Sequence, residues 1–320
     1  MNERLNRIKG PLCGILAAVC YGTNPLGALP LYAEHYNAST ILFYRYALAA
    51  LSLGVAMAVR RSSFRVSRRE LGILASLGVI FAMSSFSLYT SFLHMEAGVA
   101  STLLFVYPIM VALGMALFFH ERITWLTVTS ILLALGGIGL LYRGDGGSTL
   151  SLAGVALVML SSLTYAVYII VVNRAGLRVP SLEFNFYVLL FCTLSACIYA
   201  AVSGPDHRIM LLQTATAWGW AFLLAWLPTV LSLVFMLIAV QTIGSTPTAI
   251  LGALEPLTAV VIGAAVFGET ITPRLAAGIV LILTGVILII GGKSLSRQSL
   301  AHMLTQMTQL VVGRRRRHRP

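Results

Sequence analysis

Residues 254–272 read LEPLTAVVIGAAVFGETIT, and residues 106–124 read VYPIMVALGMALFFHERIT. The two stretches align without a gap at an offset of 148 residues, which places Pro108 over Pro256. A second match, at an offset of 144 residues, relates the beginnings of the two halves. The chain therefore contains an internal sequence repeat of two units.

The apolar runs that carry this repeat are long enough to cross a membrane. Of 320 residues, 58% are hydrophobic and 10% are charged, whereas soluble domains carry about 25% charged residues. A run of about 20 apolar residues spans a hydrocarbon core about 30 Å thick. Apolar and polar residues do not alternate in these runs as they do in the strands of membrane β-barrels, so the sequence predicts an all-α integral membrane protein. Ten transmembrane helices are predicted over residues 11–32, 39–59, 70–93, 98–119, 124–142, 151–172, 183–203, 218–241, 247–267 and 273–292.

Each unit holds five predicted spans, and because five is odd, the second unit enters the membrane inverted relative to the first. The fold class is therefore two inverted five-helix repeats. In carriers built this way, substrate sites lie near the midplane at the interface of the repeats. The alternative is a stable bundle that was duplicated without any transport role. The predicted boundaries are an N-terminus of residues 1–10, repeats of 11–142 and 151–292, and a basic tail of 293–320.

The distribution of Lys and Arg predicts the orientation. With the N-terminus in the cytoplasm, the inner side receives 18 of the 22 basic residues and the outer side three, while Arg45 falls within a span. Because cytoplasmic loops are enriched in Lys and Arg, we expect both termini to be cytoplasmic and the protein to cross the cell inner membrane. The formal charge of +12 reflects this topology, and we expect no nucleic-acid partner.

The repeated motifs resemble those of EamA-type carriers of the drug/metabolite transporter superfamily. The resemblance rests on the paired YP/EP…E-x-I-T segments, on FYRYALAAL (43–51) and on AAVCYGTNP (17–25). It covers residues 10–292 and implies secondary transport, usually efflux, of amino acids, metabolites or drugs. The sequence departs from an even repeat in carrying Tyr107 where the second half carries Glu255, and the tail is outside the pattern.

The expected function is therefore a secondary transporter that moves small organic solutes by alternating access. No P-loop motif for ATP occurs, and no cluster of Cys and His suggests a metal or another cofactor. A passive channel or facilitator is the alternative. A membrane-embedded enzyme is a weaker one, because only Glu255 and Arg45 are ionisable groups placed well inside spans. Protons are the candidate coupling ion.

Glu255 and Pro256 interrupt an otherwise apolar span. A charged group at the bilayer centre costs about 2.5–3.5 kcal/mol on insertion scales, so this acid must face a cavity, find a partner or be neutral. Pro256, like Pro108, removes a backbone donor and loosens the preceding turn. Two interpretations remain: an acid linked to protons or substrate, and an acid that holds helices together by hydrogen bonds.

Arg45 is the basic residue within a span. Its side chain has two interpretations, snorkelling to the outer interface or turning inward to meet a carboxylate of a substrate or of Glu255. At about 1.5 Å per residue, the depths of Arg45 and Glu255 differ by about 10 Å within a core of about 30 Å.

Polar and aromatic residues inside the spans are further candidates for the substrate or coupling site. Ser84, Ser87 and Ser91 share one helical face, which suits a polar path or close packing of helices through small residues. Mid-span aromatic residues need a partner for their OH or NH, and Asn24 interrupts the first span together with Pro25. The candidates are Tyr21, Asn24, Ser87, Tyr89, Tyr107, Tyr165, Tyr168 and Trp226, with ordinary packing as the alternative for each.

Two features outside the spans complete the predictions. Glu121 and Glu269 end spans four and nine, and each precedes a Thr suited to begin the next helix, so we expect structural turn residues. The tail carries an apolar stripe at helical spacing followed by RRRRHR (314–319). This pattern predicts an amphipathic helix on anionic lipids of the inner leaflet, or a disordered basic tail.

Overall fold

The computed structural model describes residues 2–120, 125–142, 151–177, 179–288 and 290. The predicted tail of 293–320 and the acid Glu121 lie outside the described residues. The described part is built from helices and contains no strand. The helices are α1 Asn2–Gly22, α2 Asn24–Ala33, α3 Ala38–Val59, α4 Arg68–Ser91, α5 Ala97–Leu104, α6 Tyr107–Phe119, α7 Trp125–Tyr142, α8 Leu152–Arg174, α9 Ser181–Val202, α10 Ala215–Ala225, α11 Ser232–Ile243, α12 Ser245–Leu251, α13 Leu254–Phe267 and α14 Pro273–Leu288. A π-helical turn, Trp226–Leu231, joins α10 to α11.

These helices form the predicted multi-span membrane fold. Eight segments are long and apolar enough to cross a membrane, and α7 and α14 are shorter apolar helices at the positions of spans five and ten. Several predicted spans consist of two helices each. Span one divides at Thr23, span four at Phe105–Val106 and span nine at Gly252–Ala253. The last two breaks overlap at one residue under the repeat offset, and each lies just before its proline, Pro108 or Pro256.

Polar side chains set where several spans begin. The Ser67 hydroxyl accepts a hydrogen bond from the Glu70 N–H at 3.2 Å, and the Glu70 carboxylate accepts from the Ser67 N–H at 3.1 Å, which forms a capping box for α4. Asn37 caps α3 by accepting from the Thr40 N–H at 2.8 Å. Thr214 caps α10 through the Ala217 N–H at 3.0 Å. Short capped loops keep neighbouring spans antiparallel.

The two repeats interlock through equivalent helix pairs. Span one of the first repeat packs on spans eight and nine, as α1 against α11 and α13, and span six packs on spans three and four, as α8 against α4 and α6. The second spans of both repeats, α3 and α9, pack against each other. This arrangement is what a pseudo-two-fold axis in the membrane plane requires.

Individual hydrogen bonds repeat this symmetry. The Ser84 hydroxyl donates to the Ser161 carbonyl at 2.9 Å, and the Ser232 hydroxyl donates to the Ala17 carbonyl at 2.9 Å. The repeat offsets convert the first bond into the second, because Ser232 is equivalent to Ser84 and Ser161 to Ala17. The serine face of span three therefore serves at Ser84 to join the repeats, which favours close packing over a polar path at that position.

Glycines join the last spans of the two repeats in the same way. A methyl group on Gly137 of α7 would lie 2.7 Å from the Gly278 carbonyl oxygen of α14. A methyl group on Gly285 would lie 2.7 Å from the Ser130 carbonyl oxygen. Gly285 is equivalent to Gly137 and Gly278 to Ser130. The absence of a side chain at both glycines allows the two helices to approach closely.

Candidate functional site

The Arg45 side chain turns into the protein. It is 3% exposed, Nη1 donates to the Tyr89 hydroxyl at 2.6 Å, and Nε donates to the Thr229 hydroxyl at 3.0 Å. These bonds join span two to spans three and eight. Of the two interpretations of Arg45, snorkelling to the outer interface is therefore wrong, because the protein itself supplies the polar partners that water would supply.

The hydrogen-bond chain continues from Tyr89 into the first span. The Tyr89 hydroxyl donates to Asn24 Oδ1 at 3.1 Å, and Asn24 Nδ2 donates to the Tyr21 carbonyl at 2.6 Å. The Tyr32 hydroxyl donates to the Tyr89 carbonyl at 2.9 Å. Asn24 begins α2 where span one breaks, so the break places its amide between Tyr89 and the end of α1. We call Arg45, Tyr89, Asn24 and Thr229 the arginine cluster.

Thr229 was not predicted from the sequence, and its position depends on the π-helical turn. Pro228 has no N–H to donate to the Leu224 carbonyl. The Thr229 hydroxyl donates to that carbonyl at 3.1 Å and accepts from Arg45 Nε at 3.0 Å. π-helical turns occur often at functional sites. The proline within span eight was the sequence feature that could have indicated an irregular turn at this position. Nothing in the sequence connects that turn with Arg45, which is 184 residues from Thr229.

Glu255 lies near three predicted tyrosines and Arg45. Tyr21, Tyr107, Tyr165 and Arg45 all lie within electrostatic range of its carboxyl group. The Glu255 side chain is partly exposed, and its carboxyl group has no hydrogen bond or ion pair to any residue that the structure describes. This acid therefore joins no helices by a side-chain hydrogen bond within the described part of the chain.

Aromatic rings pack together beside Glu255. Tyr107 and Tyr165 meet edge to face with ring centroids 4.6 Å apart, and Tyr165 stacks on Tyr168 at 5.8 Å. Phe81 lies 5.3 Å from Tyr168. All three tyrosines are partly exposed. Together with Tyr21 and Glu255 they form what we call the tyrosine cluster.

The two repeats contribute unequal halves to this site. Tyr165 is equivalent to Tyr21, Glu255 to Tyr107, and Tyr168 to Asn24. Each repeat thus supplies residues at the same three positions. The only acid of this set stands on the second repeat. The site is therefore formed by equivalent positions of the two repeats, but only the second repeat contributes a carboxyl group to them.

Two of the predicted residues lie elsewhere. Trp226 is 50% exposed and lines a groove on the outside of the helix bundle. Ser87 is 8% exposed on α4, with no hydrogen bond to the described residues, and it belongs to neither cluster. The eight residues that the structure does bring together are Tyr21, Asn24, Arg45, Tyr89, Tyr107, Tyr165, Tyr168 and Glu255.

Glu269 also has a role that the sequence did not reveal. The Ala97 N–H donates to its Oε1 at 2.8 Å and the Gly98 N–H donates to its Oε2 at 3.1 Å. It thus caps α5 in the other repeat. Burial raises the pKa of Glu269, while the two amide hydrogen bonds oppose that shift. The predicted helix start next to it is Thr272, which accepts from the Leu275 N–H at 3.1 Å.

Close packing of α1 on α13 holds Tyr21 next to Glu255. A methyl group on Gly22 would lie 2.5 Å from the Glu255 carbonyl oxygen and 2.6 Å from Thr258 Cβ. We expect Gly22→Ala to destabilise the protein by about 1–3 kcal/mol, as overpacking does, and to lower the thermal unfolding temperature in detergent. Gly139→Ala is the control, because a methyl group there meets no atom within 4 Å. Equal unfolding temperatures for both variants would contradict this packing.

The site brings together a cationic group, a carboxyl group and aromatic rings that carry hydroxyl groups. The hydrogen bonds above use two of the five Arg45 N–H groups, and Arg45 also forms a hydrogen bond with the Tyr21 side chain, so the guanidinium still retains donors for a carboxylate or similar anion. Glu255 offers a carboxyl group, and the tyrosine rings offer apolar faces with polar hydroxyls. Among the described residues, no group of three or more His, Cys, Asp and Glu is arranged to bind a metal ion.

Comparison with known proteins agrees with this architecture. The sequence profile of the EamA-like transporter family matches residues 8–143 and 152–291. An uncharacterized transporter from Archaeoglobus fulgidus is 28% identical over 151 residues, covering 41% of this chain and 54% of that protein. The chain thus aligns with about half the length of this curated relative.

A solved crystal structure shares the fold. It superposes with a TM-score of 0.64 at 16% sequence identity, covering 90% of this chain and 98% of the other. At that identity the likeness concerns the fold alone. The profile, in contrast, matches both repeats and most of the sequence, and on that ground the chain belongs to the EamA-like transporter family.

Proposed function

We propose that this protein is a secondary transporter that exports small organic solutes, such as amino acids, metabolites or drugs, across the cell inner membrane by alternating access. Family membership supports transport, and the resemblance of its motifs supports export. The excess of Lys and Arg on one side supports a topology with both termini in the cytoplasm. In this topology, Arg60 and the loop after α3 face the cytoplasm.

The observation that carries alternating access is an asymmetry between two equivalent helix pairs, which we call the outer seam (α4 with α9) and the inner seam (α3 with α11). In the outer seam the two helices pack together, with the Phe86 and Tyr199 ring centroids 4.6 Å apart. The repeat offsets convert this pair into Val234 and Val55 on the inner half. Those valines are 43% and 55% exposed and line an open groove. In an inverted repeat, exchanging the two arrangements would close the inner seam and open the outer one.

The two clusters take separate roles in this proposal. Arg45 binds the anionic group of the solute, because it is held inward with donors to spare. Glu255 binds a proton, since it lies near Arg45 and its equivalent, Tyr107, cannot replace it in charge. Coupling follows if the solute and the proton affect each other's binding to Arg45 and Glu255, which interact electrostatically.

Purified protein in proteoliposomes tests this function. A comparison of metabolites released by cells with and without the protein would first supply the test solute. We expect flux of that solute to saturate and to show counterflow, because a carrier exposes its site to one side at a time. Flux that rises without saturation and shows no counterflow would indicate a passive channel and overturn the proposal.

A further inference from the structure

The groove beside Trp226 is an apolar feature of the described surface that belongs to neither cluster. It has a volume of about 720 Å³ and lies between α3, the start of α9 and α11. Its walls are aliphatic, with Leu51, Val55 and Val59 on one side and Val234 and Leu237 on the other. All five are exposed, from 37% to 78%. In a membrane span these side chains face lipid.

The dimensions of the groove match a lipid acyl chain in one leaflet. Its wall on α3 extends from Leu51 to Arg60, which is about 14 Å at about 1.5 Å per residue. One leaflet contributes about 15 Å to the hydrocarbon core. The groove, which Trp226 also lines, therefore accommodates a chain that enters at the membrane surface and ends near the midplane.

The surface end of the groove carries positive charge. Arg60 lines it together with Ser181 and Asn185. The Arg60 side chain is exposed, and no carboxylate among the described residues forms an ion pair with it. Arg61, Arg65, Arg68 and Arg69 follow in the same loop and first helical turn. A phosphate is the group that such an end would bind, and Arg binds phosphate with paired N–H donors.

We propose that this groove is a binding site for an anionic phospholipid, with one acyl chain between α3 and α11 and the phosphate on Arg60. The apolar walls select a lipid over a free phosphate, and the arginine selects an anionic lipid over a zwitterionic one. A bound chain separates Val55 from Val234 and so favours the arrangement in which the inner seam is open. Lipid binding itself does not depend on the proposed transport cycle.

Native mass spectrometry of the full chain in detergent tests the site. The probes are a phosphatidylglycerol and a phosphatidylcholine with identical acyl chains, added in equal amounts. We expect the wild type to retain phosphatidylglycerol preferentially, and Arg60→Gln to lower that preference roughly five-fold, the effect of one basic residue near a membrane surface. Arg69→Gln, on the same side but outside the groove, should change it much less.

A second variant fills the groove without changing charge. Val234→Trp should reduce retention of both lipids, whereas Val261→Trp, at an exposed position on α13, should not. Equal losses for Arg60→Gln and Arg69→Gln would mean a general surface attraction and would overturn the proposal. So would unchanged retention in Val234→Trp, or no preference for phosphatidylglycerol in the wild type. Should Val234→Trp fail to fold, the two arginine variants still decide the question.

Discussion

Glu255→Gln is expected to abolish proton-driven flux while exchange of solute between the two sides survives. Glutamine keeps the shape of the side chain and most of its hydrogen-bonding capacity but cannot change charge. Glu255 lies near Arg45, and its carboxyl group forms no hydrogen bond to the described residues, so its replacement removes no structural bond among them. Flux in proteoliposomes at two pH gradients, with counterflow as the second readout, measures both parts of this expectation.

The control for this variant is Glu96→Gln. Glu96 is an exposed acid at the start of α5 whose side chain does not cap that helix, and we expect its replacement to leave flux near that of the wild type. Near-normal, gradient-driven flux by Glu255→Gln would end the assignment of proton coupling to this residue and leave it as a packing acid.

Thr229→Val is expected to reduce solute flux by about ten-fold or more, and Thr229→Ser to restore most of it. Valine has the shape of threonine but leaves the Leu224 carbonyl without its donor and Arg45 Nε without its acceptor. Each buried group left unpaired costs about 1–3 kcal/mol, and ten-fold corresponds to 1.4 kcal/mol. Serine retains the hydroxyl and hence both hydrogen bonds.

Solute affinity distinguishes positioning from simple destabilisation. If Thr229 orients Arg45, Thr229→Val should weaken the apparent affinity for the solute in protein that remains folded, as measured by its unfolding temperature. An equal loss of maximal flux in the valine and serine variants would contradict this role, because then the hydroxyl would not matter.

The fold was predictable from sequence to the level of the inverted repeat. The hydropathy of the spans and the offset between Pro108 and Pro256 can be read directly from the sequence. Together they indicate a membrane bundle made of two repeats. The symmetric hydrogen bonds of Ser84 and Ser232 were not predictable, since each joins residues in different repeats. The same limit explains why the serine face of span three allowed two interpretations.

The candidate site was predictable in its members but not in its bonds. A charge inside a span is costly enough to draw attention to Arg45 and Glu255, and the breaks at Asn24 and Pro256 mark cavity positions. The partner of Arg45 was hidden because Thr229 acquires its position only from the π-helical turn at Pro228. Trp226 was chosen by its depth alone, and depth does not distinguish the interior of a bundle from its lipid-facing groove.

Alternating exposure of the tyrosine cluster is the central claim, and labelling of one cysteine tests it without knowledge of the solute. The background is a variant in which Cys13, Cys20, Cys192 and Cys197 are replaced by serine or alanine. Tyr168→Cys provides the reporter, and a membrane-impermeant maleimide is added from one side at a time. Disulfides formed by mild oxidation then lock either seam, through Phe86→Cys with Tyr199→Cys or through Val55→Cys with Val234→Cys.

With the Phe86–Tyr199 seam locked, we expect the reporter to be labelled only from the cytoplasmic side. With the Val55–Val234 seam locked, we expect labelling only from the opposite side. The second disulfide requires the groove to close, because its two Cα atoms must come within about 7 Å. Labelling from both sides at once under either lock, or from the same side under both, would contradict alternating access.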